Sequence, residues 1–304
     1  MDLLELRDRI GSATGVGQTV DALNSGIAKL RWGYASGSAL SMLLSKVLDQ
    51  HRSDHLIILN DAEEAAYFLS DLEPLLGKRK AMLFPMSYRR PYELEEVDNS
   101  NVIQRAELLN RVRSSTSGNV IVSYPKALAE QVVSRRQLGK NTLSVSTGET
   151  LALETLIEVL FEYHFERVDQ VYEPGQFAVR GGIVDIYSFS HDLPYRIELF
   201  GDEVDSIRLF DPAEQLSVRK TKTATIVPNL HNEELVTELV PLLEYLPSST
   251  VIWVNDLEHT IAELDNEFSE AQVAYGNLSP DSVQRKPELL YTNGALFHSH
   301  IDEL

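Results

Sequence analysis

The residues closest to a chemical pattern lie in RWGYASGSALSMLLSKVL, Arg31 to Leu48. A phosphate-binding loop is a glycine turn between a strand and a helix. Backbone N–H groups cradle the phosphates, a lysine neutralises them and a hydroxyl holds magnesium. Here Gly33 opens such a turn, and Gly37 and Ser38 keep it small. The next two positions hold Ala39 and Leu40. Alanine cannot offset phosphate charge, and leucine cannot ligate magnesium. A bare helix N-terminus attracts anions only weakly. The stretch reads as a strand–loop–helix turn retained for structure, and no ATP, cofactor or metal is expected there.

No other spacing points to catalysis. The eight histidines form no HExxH pair, and His298 with His300 reads as an exposed pair near the terminus. Serine and histidine are present without a GxSxG elbow. With 46 Asp and Glu in the chain, carboxylate pairs arise by composition alone and single out no acid–base couple. There is no cysteine, which removes disulfides, thiolate metal sites and thiol nucleophiles. Trp32 and Trp253 read as packing residues.

A second pattern is a surface rather than a reaction centre. Successive side chains of a strand point to opposite faces. In QFAVR, Phe177 and Val179 point one way and Ala178 and Arg180 the other. In GIVDIYSF, Val184 and Ile186 face inward while Ile183, Asp185 and Tyr187 face out. In YRIELF, Ile197 and Leu199 face inward, leaving Arg196, Glu198 and Phe200 outside. One sheet face then carries Arg180, Asp185, Tyr187, Arg196 and Glu198, and Arg167 is placed at its edge. Two readings are open: a docking surface, since arginine and tyrosine are enriched at interface hot spots, or a solvated face laced by cross-strand ion pairs.

The elements that must position these residues fall into three stretches. The first alternates strand and helix patterns: IAKLR (27–31), a helix over 39–51, LIILN (56–60), a helix opened by Asp61 with Glu64 as a capping box, AMLFP (81–85), a helix near 103–112 and NVIVSYP (119–125). That order predicts a parallel, doubly wound sheet. ETLALETLIEVLFEYHF (149–165) then reads as one amphipathic helix, followed by short strands with turns at Pro174–Gly175, Gly181–Gly182 and Gly201–Asp202. This is a small antiparallel meander with a helix. TATIVP (223–228) and TVIWVN (250–255) read as strands of a returning α/β pattern, with Asn255 or Asp256 capping a helix beyond. The meander is read as an insertion in a larger α/β domain.

Net charge is −19, and residues 231–304 hold fourteen acidic against two basic residues, a net of −12. Clustered cations drive binding to phosphate backbones, and the basic clusters are limited to residues 78–80, Arg89–Arg90 and Arg135–Arg136. Broad nucleic-acid binding is therefore disfavoured. The apolar runs are far shorter than the roughly 20 residues of a membrane span, and MDLLELRDRI has no basic start before an apolar block. A cytoplasmic protein with no membrane contact is expected.

The stretch RVDQVYEPGQFAVRGGIVDIYSFSHDLPYRIELFGDEVDSIRLFDP, Arg167 to Pro212, resembles the module shared by the bacterial repair-protein family of UvrB and Mfd, the transcription-repair coupling factor. The G-x-F-x-V-R-G-G-x-x-D-I-Y core, the R-x-E-L-F strand and the D-E-V-D-S-I-R-x-F-D tail carry the resemblance. SYPKAL (123–128) precedes the inserted domain as in the family, and the Gly33 loop sits where UvrB has its ATP loop. UvrB would keep the lysine, so Ala39 and Leu40 favour the Mfd branch, in which that ATP site is lost.

The resemblance implies an α/β fold of UvrB type. A degenerate P-loop-type parallel-sheet domain would occupy 1–128 and 214–304, and a small α+β domain would be inserted at 129–213. It implies a non-catalytic N-terminal piece of a longer translocase ATPase that recruits UvrA to stalled RNA polymerase. The alternative is the nucleotide-binding half of a UvrB-like helicase. UvrB-type contact positions carry over onto Arg167, Arg180, Arg196 and Glu198, with Gly181, Asp185 and Tyr187 in the same motif. Ala178 stands where UvrB often has another arginine, and Tyr187 where phenylalanine is usual. Contacts with other Mfd domains are implied inside the longer chain, and RNA polymerase and DNA would be engaged only through those domains.

Overall fold

The computed structural model describes residues 3–11, 14–27, 29–33, 37–77, 79–87, 92, 99–115, 118–230, 232, 234–279 and 284–303. The chain divides into two compact units. One comprises Met1–Met86, Ser114–Val132 and Pro241–Leu304; the other comprises Ser87–Arg113 and Val133–Val240.

The first unit is built on a parallel four-stranded sheet in the order Val251–Val254, His55–Ile58, Val120–Ser123, Ala81–Leu83. Ile57 pairs with Trp253 on one side and with Val122 on the other. The two inner strands are buried at every position. That is why they read as continuous apolar runs rather than as alternation. Helix Ala62–Leu72 starts as its capping pattern predicts: Asp61 Oδ1 accepts the Glu64 N–H at 2.8 Å, and Glu64 Oε2 accepts the Asn60 N–H at 3.2 Å. Of the two proposed caps for helix Leu257–Gly276, Asp256 does the work, accepting the His259 N–H at 3.0 Å. Helix Ser38–Gln50 buries Leu44, Val47 and Leu48.

Two expectations fail in this unit. The strand over Ile27–Arg31 does not form: Ile27 and Lys29–Arg31 are in no strand, and Ile27 and Leu30 are exposed. The four sheet strands pair with one another, and the Ile27 N–H turns back to the Ala22 carbonyl at 3.1 Å, closing the preceding helix instead of joining a ladder. The strand that should lead into the glycine turn is therefore missing, and Tyr34–Ser36 of the turn lie outside the described residues. His298 and His300 are not a matched tail pair. Both lie in helix Gly294–Glu303, where His298 is exposed beside Asp302 and His300 is half-buried, with Nδ1 2.7 Å from the Leu296 carbonyl.

The second unit holds a six-stranded sheet in the order Ser217–Thr221, Glu203–Phe210, Tyr195–Phe200, Ile183–Ile186, Gln176–Arg180, Glu166–Arg167. Neighbouring strands are antiparallel except the last pair, which is parallel. Its inner face packs Phe177, Val184, Ile186, Ile197, Ile207 and Leu209 against Leu156 and Leu160 of helix Leu153–Glu162. The tight turns fall where glycine permits a left-handed residue: Gly181 and Gly201 both have φ 61°. A Cβ on Gly182 would stand 2.6 Å from the Leu199 carbonyl oxygen, so only glycine fits there.

The helix is shorter than its pattern predicted at both ends. Ahead of it, the Gly148 N–H donates to Val204 O, the Val204 N–H to Glu149 O and the Leu151 N–H to Asp202 O. A backbone bonded sideways to a strand cannot also wind into a helix. At the far end His164 adopts φ 60° and the Phe165 N–H closes onto Leu160 O at 2.9 Å, a Schellman stop. The strand expected over 223–228 forms as Thr223–Ile226, but it pairs antiparallel with Leu143–Ser146 inside this unit instead of returning to the parallel sheet. Val145, Ala224 and Ile226 join the same core.

Candidate functional site

The outer face of the six-stranded sheet is organised around one carboxylate. Asp185 lies mid-sheet, directly opposite Arg196 on one neighbouring strand and Ala178 on the other. Its side chain is fully buried. A buried charge costs several kcal/mol unless it is paired and hydrogen-bonded, and two arginines meet that need. Arg196 grips it in bidentate fashion, Nε to Oδ1 at 2.7 Å and Nη2 to Oδ2 at 2.9 Å. Arg180 adds Nη2 to Oδ2 at 2.7 Å. Ala178 leaves room for Arg180 to reach diagonally from the strand end.

The two arginines differ in what remains free. The Arg196 side chain is 18% exposed and that of Arg180 50%. Arg196 also lies 4.5 Å over the Phe210 ring and donates from Nη1 to the Gln215 carbonyl at 3.3 Å. Its hydrogen bonds to Asp185 raise its pKa above the ordinary arginine value, so it is a fixed cation with its fork occupied. Arg180, at the Gly181 turn, keeps half of its surface in water. Next along the sheet, Glu198 accepts from Ser206 Oγ at 2.7 Å and Arg208 Nη2 at 2.9 Å. Arg208 sits opposite Arg196 and Lys220 opposite Arg208, so the outer face carries three cations in register over neighbouring strands.

Comparison with known proteins finds a match for the stretch that carries this surface. Residues 143–231 match the UvrB interaction domain. The match begins at strand Leu143–Ser146 and ends just beyond Thr223–Ile226, the two strands that pair to close the unit's core. About two thirds of the chain is similar to transcription-repair-coupling factors: 30% identical to that of Bacillus subtilis over 69% of this chain and 18% of the relative, and 24% identical to that of Escherichia coli over 64% and 17%. It is also 26% identical to UvrABC system protein B of Thermosipho africanus, over 70% of this chain and 35% of the relative. The chain thus spans about a fifth of the length of the coupling factors it matches.

Within this matched stretch, alternation places most of the named residues on the expected side of the sheet. Arg180, Asp185, Tyr187, Arg196 and Glu198 share the outer face, and Gly181 forms the turn beside Arg180. Three placements need correction. Asp185 is not solvent-facing, because it is the buried hub of the arginine pair. Tyr187 is buried with Val171, Ala178 and Phe210 in a second small core on the outer face, and its hydroxyl donates to the Asp192 carbonyl at 2.6 Å. Segment 168–175 covers it: the Val168 N–H donates to Phe177 O and the Gly175 N–H to Tyr187 O. That burial raises the tyrosine pKa. Arg167 is exposed, but it pairs with Phe177, whose ring belongs to the helix-side core. Residues paired across parallel strands share a side, so Arg167 lies on the helix side of the sheet edge and does not join the others.

Ser206 and Arg208 also lie on this face, beyond the residues the motif names. The signal was present in DSIRLF, where Ser206, Arg208 and Phe210 alternate with the inward Ile207 and Leu209.

The glycine turn of the first unit looks different. Helix Ser38–Gln50 begins after Gly37 with φ 56° and has no side-chain cap. The Ser38 hydroxyl donates to the Asp71 carboxylate at 2.8 Å. Ala39 and Leu40 are half-buried. Of the basic cluster at 78–80, Arg79 is turned inward and donates to the carbonyls of Leu48, His51, Ser53 and Gly118; Lys78 and Arg89–Arg90 lie outside the described residues. Among the described residues, no helix is long and apolar enough to cross a membrane.

Proposed function

We propose that this chain is a non-catalytic docking module that recruits UvrA in transcription-coupled nucleotide excision repair, by way of the outer sheet face. The observation that carries the reading is Arg180: a cation anchored to a buried carboxylate yet half exposed, inside the stretch that matches the UvrB interaction domain. A fixed charge loses little conformational freedom on binding, and this supports affinity without new ordering. Arg196, Glu198 and Gly181 shape the same face. Asp185 holds the guanidinium groups in place and Tyr187 supports the face from below, while Arg167, on the helix side of the edge strand, stands apart from this face. On this reading the docking domain is an insertion centred on 129–213 whose fold extends to Val240 and takes in Ser87–Arg113, in a host formed by the rest of the chain.

The helix at Ser38 belongs to the host as a degenerate P-loop used as scaffold. Ala39 offers no cation, Leu40 offers no hydroxyl to magnesium, and the Ser38 hydroxyl is bonded to Asp71. The longer protein would supply the translocase ATPase and the contacts with RNA polymerase and DNA, and its other domains would cover this face until needed. Its place of work is the cytoplasm.

The test is a calorimetric titration of UvrA with the wild-type chain and with Arg180→Ala. The variant should bind roughly 30-fold more weakly, the scale of a hot-spot arginine at about 2 kcal/mol, while circular dichroism shows it still folded at the titration temperature, since Asp185 keeps its bidentate bonds to Arg196. Equal affinity would move the docking surface elsewhere. Arg196 is unsuited to this test, since its loss would strip the buried Asp185 of its bidentate partner.

A further inference from the structure

Phe200 is 84% exposed, the most exposed large apolar side chain among the described residues. A lone exposed apolar residue is ordinary; the position of this one is not. In strand Tyr195–Phe200, Tyr195, Ile197 and Leu199 pack into the helix-side core, so alternation puts Phe200 on the outer face after Arg196 and Glu198. Its cross-strand neighbour on one side is Glu203. On the other, the ladder that pairs Ile183 with Glu198 continues through the Leu199 N–H, which donates to Gly182 O at 2.7 Å, to the Gly181–Gly182 turn.

That turn cannot shield the ring. Gly182 admits no side chain because of the Leu199 carbonyl, and a Cβ on Gly181 would meet no atom within 4 Å. The backbone geometry that closes the hairpin therefore also leaves Phe200 bare, at the end of the face where Arg180 emerges. Arg180 and Arg208, 50% and 32% exposed, and the exposed Lys220 opposite Arg208 are the accessible cations of this face, in a chain whose net charge is −19. A surface of this kind is complementary to an apolar hollow bordered by carboxylates.

We propose that Phe200 is the apolar anchor of the docking face, entering an acid-rimmed apolar socket on the partner while Arg180 and Arg208 pair with the rim. The inference rests on the docking reading above. Hot spots cluster around one desolvated aromatic with charged groups outside it.

The test titrates UvrA with the 304-residue chain in four forms: wild type, Arg180→Ala, Phe200→Ala and Phe200→Trp. Phe200→Ala should weaken binding about 30-fold, with no change in melting temperature because the ring makes little internal contact. Phe200→Trp should bind and show a blue shift of its emission on adding UvrA, measured as the difference from the wild-type titration. If Arg180→Ala weakens binding while Phe200→Ala does not and the indole stays unshifted, the anchor is overturned and the docking reading stands. If wild type fails to bind UvrA at all, the docking reading falls and the anchor with it.

Discussion

The two units of this protein use their polar groups differently. In the parallel-sheet unit the conspicuous ones are satisfied internally. Ser38 is bonded to Asp71, Arg79 is held by four backbone carbonyls, and His55 lies between Trp253 and His51. In the meander unit Asp185 is equally buried, but neutralising it takes two arginines, and Arg180 emerges half free. A motif with the right glycines but no remaining charge is a scaffold. A sheet face with a fixed, partly free cation can recognise another molecule. The first unit carried the more recognisable sequence pattern; the second carries the usable chemistry.

The comparison breaks most directly at Asp185. Asp185→Ala removes the hub and leaves the bidentate Arg196 fork without its partner. Breaking one side of a buried ion pair costs about 3–5 kcal/mol. Urea denaturation followed by circular dichroism should show a loss of that size. Asp71→Asn, at the corresponding exposed contact of the first unit, should change stability by less than about 0.5 kcal/mol. Similar losses at both positions would mean that the two units do not differ as argued.

The sequence was most legible where backbone chemistry decided the outcome. Asp61 and Asp256 cap as their side chains require, and Gly181 and Gly201 turn as their φ angles require. The strand faces followed from alternation because each apolar set had a helix to cover it. Legibility failed where a distant segment decided. Nothing within Ile27–Arg31 says that no strand will pair with it. Nothing near Glu149 says that Val204 and Asp202 will capture its backbone, and nothing near Tyr187 says that segment 168–175 will fold over it. The buried state of Asp185 was hidden for the same reason: alternation gives the side of the sheet, not what lies on it.

A second prediction sharpens the contrast through pH. His55 is fully buried; the Trp253 indole N–H donates to its Nδ1 at 3.0 Å, and its Nε2 lies 3.2 Å from the His51 carbonyl. Burial, with nearby Arg79 adding to it, pushes its pKa down to about 3. An unfolded histidine titrates near 6.5, so between these values the denatured chain binds a proton that the native one refuses. Stability is full above about pH 6.5 and falls as pH drops toward 3, by up to about 1.4 kcal/mol per pH unit. Both tryptophans, Trp32 and Trp253, belong to the parallel-sheet unit, so fluorescence-detected urea unfolding reports on it. Between pH 7 and 5 the wild type should lose stability along that slope, and His55→Gln should lose less. Parallel slopes would show that His55 is not kept neutral.

The smallest expected effects come from the glycines. Gly182 and Gly37 both sit at turns beside sequences singled out for function, but for different physical reasons. Gly182→Ala drives a Cβ to within 2.6 Å of a backbone oxygen, which no side-chain rotation relieves. The hairpin must open, at about 2 kcal/mol by the scale of overpacking. Gly37→Ala meets no atom within 4 Å, but its φ of 56° with ψ of −145° is a conformation that only glycine adopts freely, worth about 1–3 kcal/mol. Denaturation midpoints should therefore fall for both. UvrA affinity should fall for Gly182→Ala alone, because opening that hairpin shifts Arg180 and Phe200 together. A Gly37→Ala chain that folded but lost its partner would return function to the glycine turn of the first unit, and the division between scaffold and surface would have to be redrawn.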